Sequence, residues 1–172
     1  IHCRTYQEAC NMKHALAKRL IECGVEIHPE KTKIVCCQPK NKHSDWESKF
    51  EFLGYEFRPR LVKGPYGFFT SITPAISPKS AKSIREKVRK WQLWRRHNKT
   101  LPEISEYINP IIQGWINYYG HFQQSQLKKV LRYIDLQFIK WVKWKYRKRS
   151  RYFKRAKEWL DKFRKYNCEL FP

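Results

Sequence analysis

Apolar residues recur along this chain at two different spacings, and the change from one to the other divides it. Thr5 and Glu8 form a capping-box pattern, and Ala9, Leu16 and Leu20 follow at helical intervals up to a stop at Gly24. After the turn residues His28, Pro29 and Glu30, residues 33–37 read as a short strand. Residues 50–58 are aromatic and β-prone. Residues 68–72 are a further strand, reached through the turn Lys63, Gly64, Pro65, Tyr66 and Gly67. The first part is therefore expected to be a helix followed by an antiparallel β element.

From Ser77 the spacing is helical. Ser77 before Pro78 predicts a capped helix with Pro at its first position and an apolar face of Ile84, Val88 and Trp91. Thr100 and Glu103 make a second capping box, with Ile104 and Ile108 behind it. Asn109 before Pro110 predicts an interruption and restart, because proline removes a donor and its ring clashes with the preceding turn. Ile111, Ile112, Trp115, Tyr118 and Tyr119 continue the pattern. A long helix from about Ser125 carries Leu127, Val130, Leu131, Ile134, Phe138, Trp141 and Val142, and a last helix covers residues 152–166. The predicted class is α+β: residues 1–77 hold the helix and β element, and residues 78–172 form a helical bundle.

Composition adds a partner. The 172 residues are 41% apolar and 16% aromatic, which suits a packed core and not a disordered basic tail. Lys and Arg number 37 against 15 Asp and Glu, a net charge of +22. Residues 1–77 carry +4 of it and residues 78–172 carry +18, so the second part is expected to face a polyanion. A membrane is the poorer choice. No apolar run approaches the roughly 18 residues of a span, and no signal peptide is visible. Leu136, Ile139 and Trp144 fall off the main apolar face of their helix, which argues against a helix lying in a bilayer interface. The six cysteines (3, 10, 23, 36, 37 and 168) show no CxxC pair, so free thiols in a reducing cytoplasm are expected. A zinc site from Cys36, Cys37 and His43 would need a fourth ligand from elsewhere. The chain opens on Ile1 rather than Met, so a fragment is expected.

Two stretches are candidates for phosphate binding. Lys79, Lys82, Arg85 and Arg89 share one stripe of the first bundle helix, roughly opposite Ile84, Val88 and Trp91. Glu86 is the sole acid between Pro78 and Lys99, so few salt bridges compete for those cations. Residues 140–157 hold ten Lys or Arg and no acid, among them Lys140, Lys143, Lys145, Arg147, Lys148, Arg149 and Arg151. Trp141, Trp144, Tyr146, Tyr152 and Phe153 are interleaved; such aromatics serve either as bundle core or as platforms for unpaired bases. No catalytic set can be assembled. Asp45, Asp135 and Asp161 lie in separate segments, and the chain has no paired-carboxylate motif, HExxH, GxSxG or P-loop. No metal site is expected in it.

Three stretches together resemble the reverse transcriptase/maturase proteins encoded by group II introns. Pro29, Glu30, Lys31 and Thr32, after Gly24, look like the end of a palm segment of that family. Phe52, Leu53, Gly54 and Tyr55 are similar to the segment that closes the palm. Asn109, Pro110, Gly114, Trp115, Asn117, Tyr118 and Tyr119 match the signature of the maturase-specific, or X, domain that acts as the thumb.

The resemblance implies the end of a palm over residues 1–77 and a thumb over residues 78–172. It implies a palm lysine at Lys31, near the leaving pyrophosphate, and a primer-grip region at Phe52, Leu53 and Gly54. Gly54 would permit a close backbone approach, with Phe52 and Leu53 as sheet core. The thumb signature reads mainly as architecture: a capped helix, Gly114 at a close packing point, and aromatics turned inward. Gln113 stands where many relatives carry a basic residue, which weakens a phosphate contact there. The implied partners are group II intron RNA, an RNA template–DNA primer duplex and the upstream fingers and palm of the same protein. The implied role is RNA splicing and RNA-directed DNA synthesis in the intact protein, with Mg²⁺ as its cofactor. The catalytic aspartates belong to a hairpin that would precede Ile1, so this chain alone is expected to be inactive as a polymerase. A DNA-binding or HNH endonuclease segment is not evident. Two alternatives remain open at this level: a stand-alone basic RNA-binding or RNA-chaperone module, and a helical DNA-binding domain.

Overall fold

A computed structural model of the chain describes residues 1–37, 47–146 and 152–166. The elements run in the order α1 (Tyr6–Glu22), β1 (Phe50–Phe52), β2 (Tyr55–Gly64), β3 (Gly67–Ile76), α2 (Pro78–Lys90), a 3₁₀ turn (Leu93–Arg95), α3 (Leu101–Tyr119), α4 (Gln124–Lys145) and α5 (Phe153–Tyr166). This is the α+β arrangement the patterning predicts. By contacts the chain forms two compact units, residues 1–50 with 58–72, and residues 51–57 with 73–172.

In the first unit, α1 begins as expected. The Thr5 hydroxyl accepts from Glu8 N at 3.2 Å, and the Glu8 carboxylate accepts from Arg4 N at 2.8 Å. Its end closes with Val25 N donating to Leu20 O and Gly24 N to Ile21 O, both at 2.9 Å. Gly24 takes φ 75°, the left-handed conformation that this closure needs. The strand expected over residues 33–37 does not form. Cys36 N donates to Glu47 O at 2.9 Å, but among the described residues this contact is not extended into a ladder. His43, the third residue of the zinc alternative, lies outside the described residues.

The three strands pair in the order β1–β2–β3, and their two-residue connections make the pairing antiparallel. Residues 50–58 are thus not one strand. Leu53 (φ 48°) and Gly54 (φ 79°) turn the chain between β1 and β2, as a tight hairpin of two left-handed residues requires.

The second unit holds the core. Helix α4 packs against α2, α3, α5 and the 3₁₀ turn, and Phe138, Trp141 and Val142 on it are almost wholly enclosed. Helix α2 starts as the sequence predicts, with Ser77 Oγ accepting from Ser80 N at 3.1 Å and Pro78 at the first position. At the head of α3, Glu103 accepts from both Thr100 N (2.6 Å) and the Thr100 hydroxyl (2.9 Å). Those bonds, the backbone one foremost, hold the Glu103 carboxyl below its usual pKa.

Pro110 does not interrupt α3, which is continuous through it. The proline lies on the solvent side, as does Glu106, whose carbonyl loses its partner and can bond water instead. Meanwhile Ile104, Ile108 and Ile112 bury against one core and hold both halves in line. Ile139 also departs from expectation: it is buried, because α4 is surrounded on more than one side. Among the described residues, Cys3, Cys10, Cys23, Cys36 and Cys37 form no disulfide. Among the described residues no helix is long and apolar enough to cross a membrane.

Candidate nucleic-acid interface

Helix α2 sorts its side chains cleanly. Ala81, Ile84 and Val88 are buried, while Lys79, Lys82 and Arg89 are exposed and Arg85 is half-buried. Cations at three- and four-residue intervals stand about 5–6 Å apart on a helix surface, a spacing on which successive phosphates can be matched.

The end of this stripe meets a second set of cations. Arg89 lines a groove of about 530 Å³ together with Trp94, Tyr133, Gln137, Lys140, Lys143 and Trp144. Cations of α2 and α4, distant in sequence, therefore share one surface with two indoles that are 52% and 56% exposed. Among the described residues no acid lines the groove. Asp135, also on α4, is engaged with Arg164 of α5 at 2.7 Å.

Lys145 has an internal role. Its ammonium donates to the carbonyl of Lys99 and lies 5.1 Å from the Trp141 ring, tying α4 to the segment before α3. Arg147, Lys148, Arg149 and Arg151 lie outside the described residues. Trp141 and Tyr146 pack into the bundle, whereas Trp144, Tyr152 and Phe153 are exposed.

The thumb-like signature divides in two. Trp115 stacks on Trp91 with ring centroids 5.8 Å apart, joining α3 to the end of α2. Tyr118 donates from its hydroxyl to Leu53 O at 2.8 Å, and Tyr55 donates to the Tyr118 carbonyl. Tyr119 and Phe122 crowd around the same Tyr55 ring, and burial there raises the Tyr55 phenol pKa. Asn109 is half-buried and Pro110 exposed; Asn117 accepts from Gln113 Nε2 at 2.7 Å on the solvent side. Two expectations fail here. Gly114 is not at a packing point, since a Cβ added to it would meet nothing within 4 Å. Tyr118 is not turned inward but half exposed, because its hydroxyl reaches out to the β1–β2 turn.

That turn is closely held. Ser77 N donates to Gly54 O at 2.9 Å, and a Cβ on Gly54 would stand 2.9 Å from both the Ser80 and Tyr119 hydroxyls. The close approach expected of Gly54 is thus made to side chains as well as backbone. Phe52 and Leu53 are exposed rather than sheet core, since a three-residue edge strand ending in a turn offers them nothing to pack beneath. Lys31 is exposed in the loop after α1. Among the described residues there is no group of three or more His, Cys, Asp or Glu that could hold a metal ion.

Trp94, Tyr133 and Gln137 belong to the groove without having been singled out by the pattern. A usable signal was present for the first: Trp94 follows a helix end and is itself followed by Arg95 and Arg96.

Residues 81–159 match the family model for the group II intron, maturase-specific domain. No curated protein and no solved structure matches the chain significantly.

Proposed function

From a chain that carries a group II intron maturase-specific domain over residues 81–159, we propose a protein that binds structured intron RNA and supports its splicing. The observation that carries this reading is the meeting of the α2 stripe and the α4 cations at one surface that no described acid lines. Phosphates arrayed along an RNA helix neutralise such a surface and release condensed counterions. Splicing is supported when those contacts stabilise the RNA's active fold.

The wider reading rests on the resemblance in residues 24–34 and 50–57, together with the thumb signature. In it, residues 1–77 are the end of a reverse-transcriptase palm and residues 78–172 its thumb. The intact protein also holds an RNA template–DNA primer duplex and polymerises DNA with Mg²⁺ bound by other residues than these. The upstream palm and fingers are its intramolecular partner, and described cysteines that form no disulfide suit a reducing compartment such as a cytoplasm.

The test is binding of a structured intron RNA across a salt series. The triple variant Lys82→Gln, Arg85→Gln and Arg89→Gln is expected to bind more weakly, with the salt slope falling by about 0.7–0.9 for each lost contact. Thermal melting should be little changed, because none of the three contributes to the core. An unchanged slope with unchanged melting would refute the role of the stripe.

A further inference from the structure

Trp94 differs from the residues beside it in the chain. Its neighbours Trp91 and Leu93 are buried, yet it is half exposed. The turn that carries it is firmly held. Gln92 takes a left-handed φ of 47°, which directs Leu93 into the core. Trp141 Nε1 donates to Arg96 O at 3.1 Å, and Lys145 donates to Lys99 O. The Arg95 guanidinium lies 4.8 Å from the Trp94 ring centre. A large apolar ring is therefore presented to solvent by a pre-organised segment, which lowers the ordering cost of any ligand it meets.

The groove it lines favours one kind of ligand. Trp144 contributes a second exposed indole, Arg89, Lys140 and Lys143 contribute positive charge, and Tyr133 and Gln137 contribute hydrogen-bonding groups. Paired RNA keeps its base faces inside the stack, out of reach of the two half-exposed indoles. An unpaired base offers a π-face for stacking and brings flanking phosphates to nearby cations. A volume of about 530 Å³ falls within the range of small-ligand pockets and admits a nucleotide.

We infer that this groove is a subsite for an unpaired nucleotide of RNA, a bulged or looped-out base. The base lies against both Trp94 and Trp144, and its phosphates lie against Arg89, Lys140 and Lys143. The inference rests on the RNA-binding reading above and adds to it a structural feature of the RNA that the protein selects.

The experiment uses the full chain and two RNA hairpins whose strands are closed by a polyether linker in place of loop nucleotides, identical except that one carries a single unpaired 2-aminopurine in its stem. The bulged hairpin is expected to bind about tenfold more tightly, with its fluorescence quenched by stacking. Trp94→Leu and Trp144→Leu should each weaken bulged-hairpin binding about tenfold, while paired-hairpin binding stays within about twofold. Trp94→Phe, which keeps an aromatic face, should retain most of the preference. If Trp94→Leu lowers the melting temperature, Trp144→Leu carries the same expectation from a different element. Equal affinity for the two hairpins, with no quenching, overturns the subsite and leaves the phosphate reading standing. Failure of both hairpins to bind at low salt overturns that reading and the inference with it.

Discussion

Residues 51–57 with 73–172 enclose side chains from four helices in a continuous core, whereas residues 1–50 with 58–72 bury no described residue fully. The contrast is not one of local quality. Helix α1 has a side-chain cap at Thr5 and a closed C-terminus at Gly24, as good as the start of α2 at Ser77. Yet α1 buries none of its 17 residues, and Ile21 stands 65% exposed, while the 13 residues of α2 bury Ala81, Ile84 and Val88. Caps and propensity are sufficient to say where a helix runs; burial of a face supplies most of its stability. In α2 that burial also has a chemical result: with the apolar face turned in, the outer face is left to cations.

Three tests, using four substitutions, bear on this contrast, beginning with the one of greatest effect. Phe138→Ala removes an enclosed aromatic from α4 and is expected to cost about 3–5 kcal/mol. Denaturant unfolding followed by tryptophan fluorescence would read it, and Leu61→Ala on the exposed hairpin should shift the same midpoint by no more than about 0.5 kcal/mol. Equal costs for the two would erase the difference between the units. Ser77→Ala is next. It removes the cap from α2 and is expected to cost about 1 kcal/mol, read as a lower melting temperature.

The smallest effect is one of pH. The Glu103 carboxyl titrates below its ordinary value of 4.5 because Thr100 N and the Thr100 hydroxyl bond to its charged form. A depressed carboxyl pKa contributes stability above the unfolded value, and that contribution is lost as pH falls through the folded one. Glu103→Gln should therefore lower the melting temperature slightly at neutral pH, by an amount that shrinks below pH 4.5. A constant difference down to acid pH would show that the charge at the head of α3 contributes nothing.

Much of the second unit was legible because its signals are local. The caps at Ser77 and Thr100 and the buried positions Ile84, Val88, Ile104, Ile108, Phe138 and Trp141 all follow from a 3.6-residue period and a few hydrogen-bonding side chains. The errors occur where a local rule meets a non-local circumstance. Pro110 was expected to break α3, but its lost bond faces water and the helix is held together by the core beneath. Gly114 was expected at a packing point, yet among the described residues nothing lies within 4 Å of where its Cβ would be. Residues 33–37 have strand-like composition, but a strand needs a partner, and periodicity along one segment carries no information about pairing.

The candidate site divides in the same way. The sequence by itself determined that residues 78–172 are strongly basic, that Lys79, Lys82, Arg85 and Arg89 share a helix stripe, and that the chain resembles a maturase thumb, which the family match over residues 81–159 supports. Charge and helical phase are properties of neighbouring residues. Tertiary structure alone decided that Arg89 meets Lys140 and Lys143, that Lys145 is engaged within the fold, and that Trp94 is held out beside Trp144's groove while Trp91 and Leu93 are buried. Those outcomes depend on how α2, the 3₁₀ turn and α4 pack, and packing is settled by complementary surfaces from distant parts of the chain.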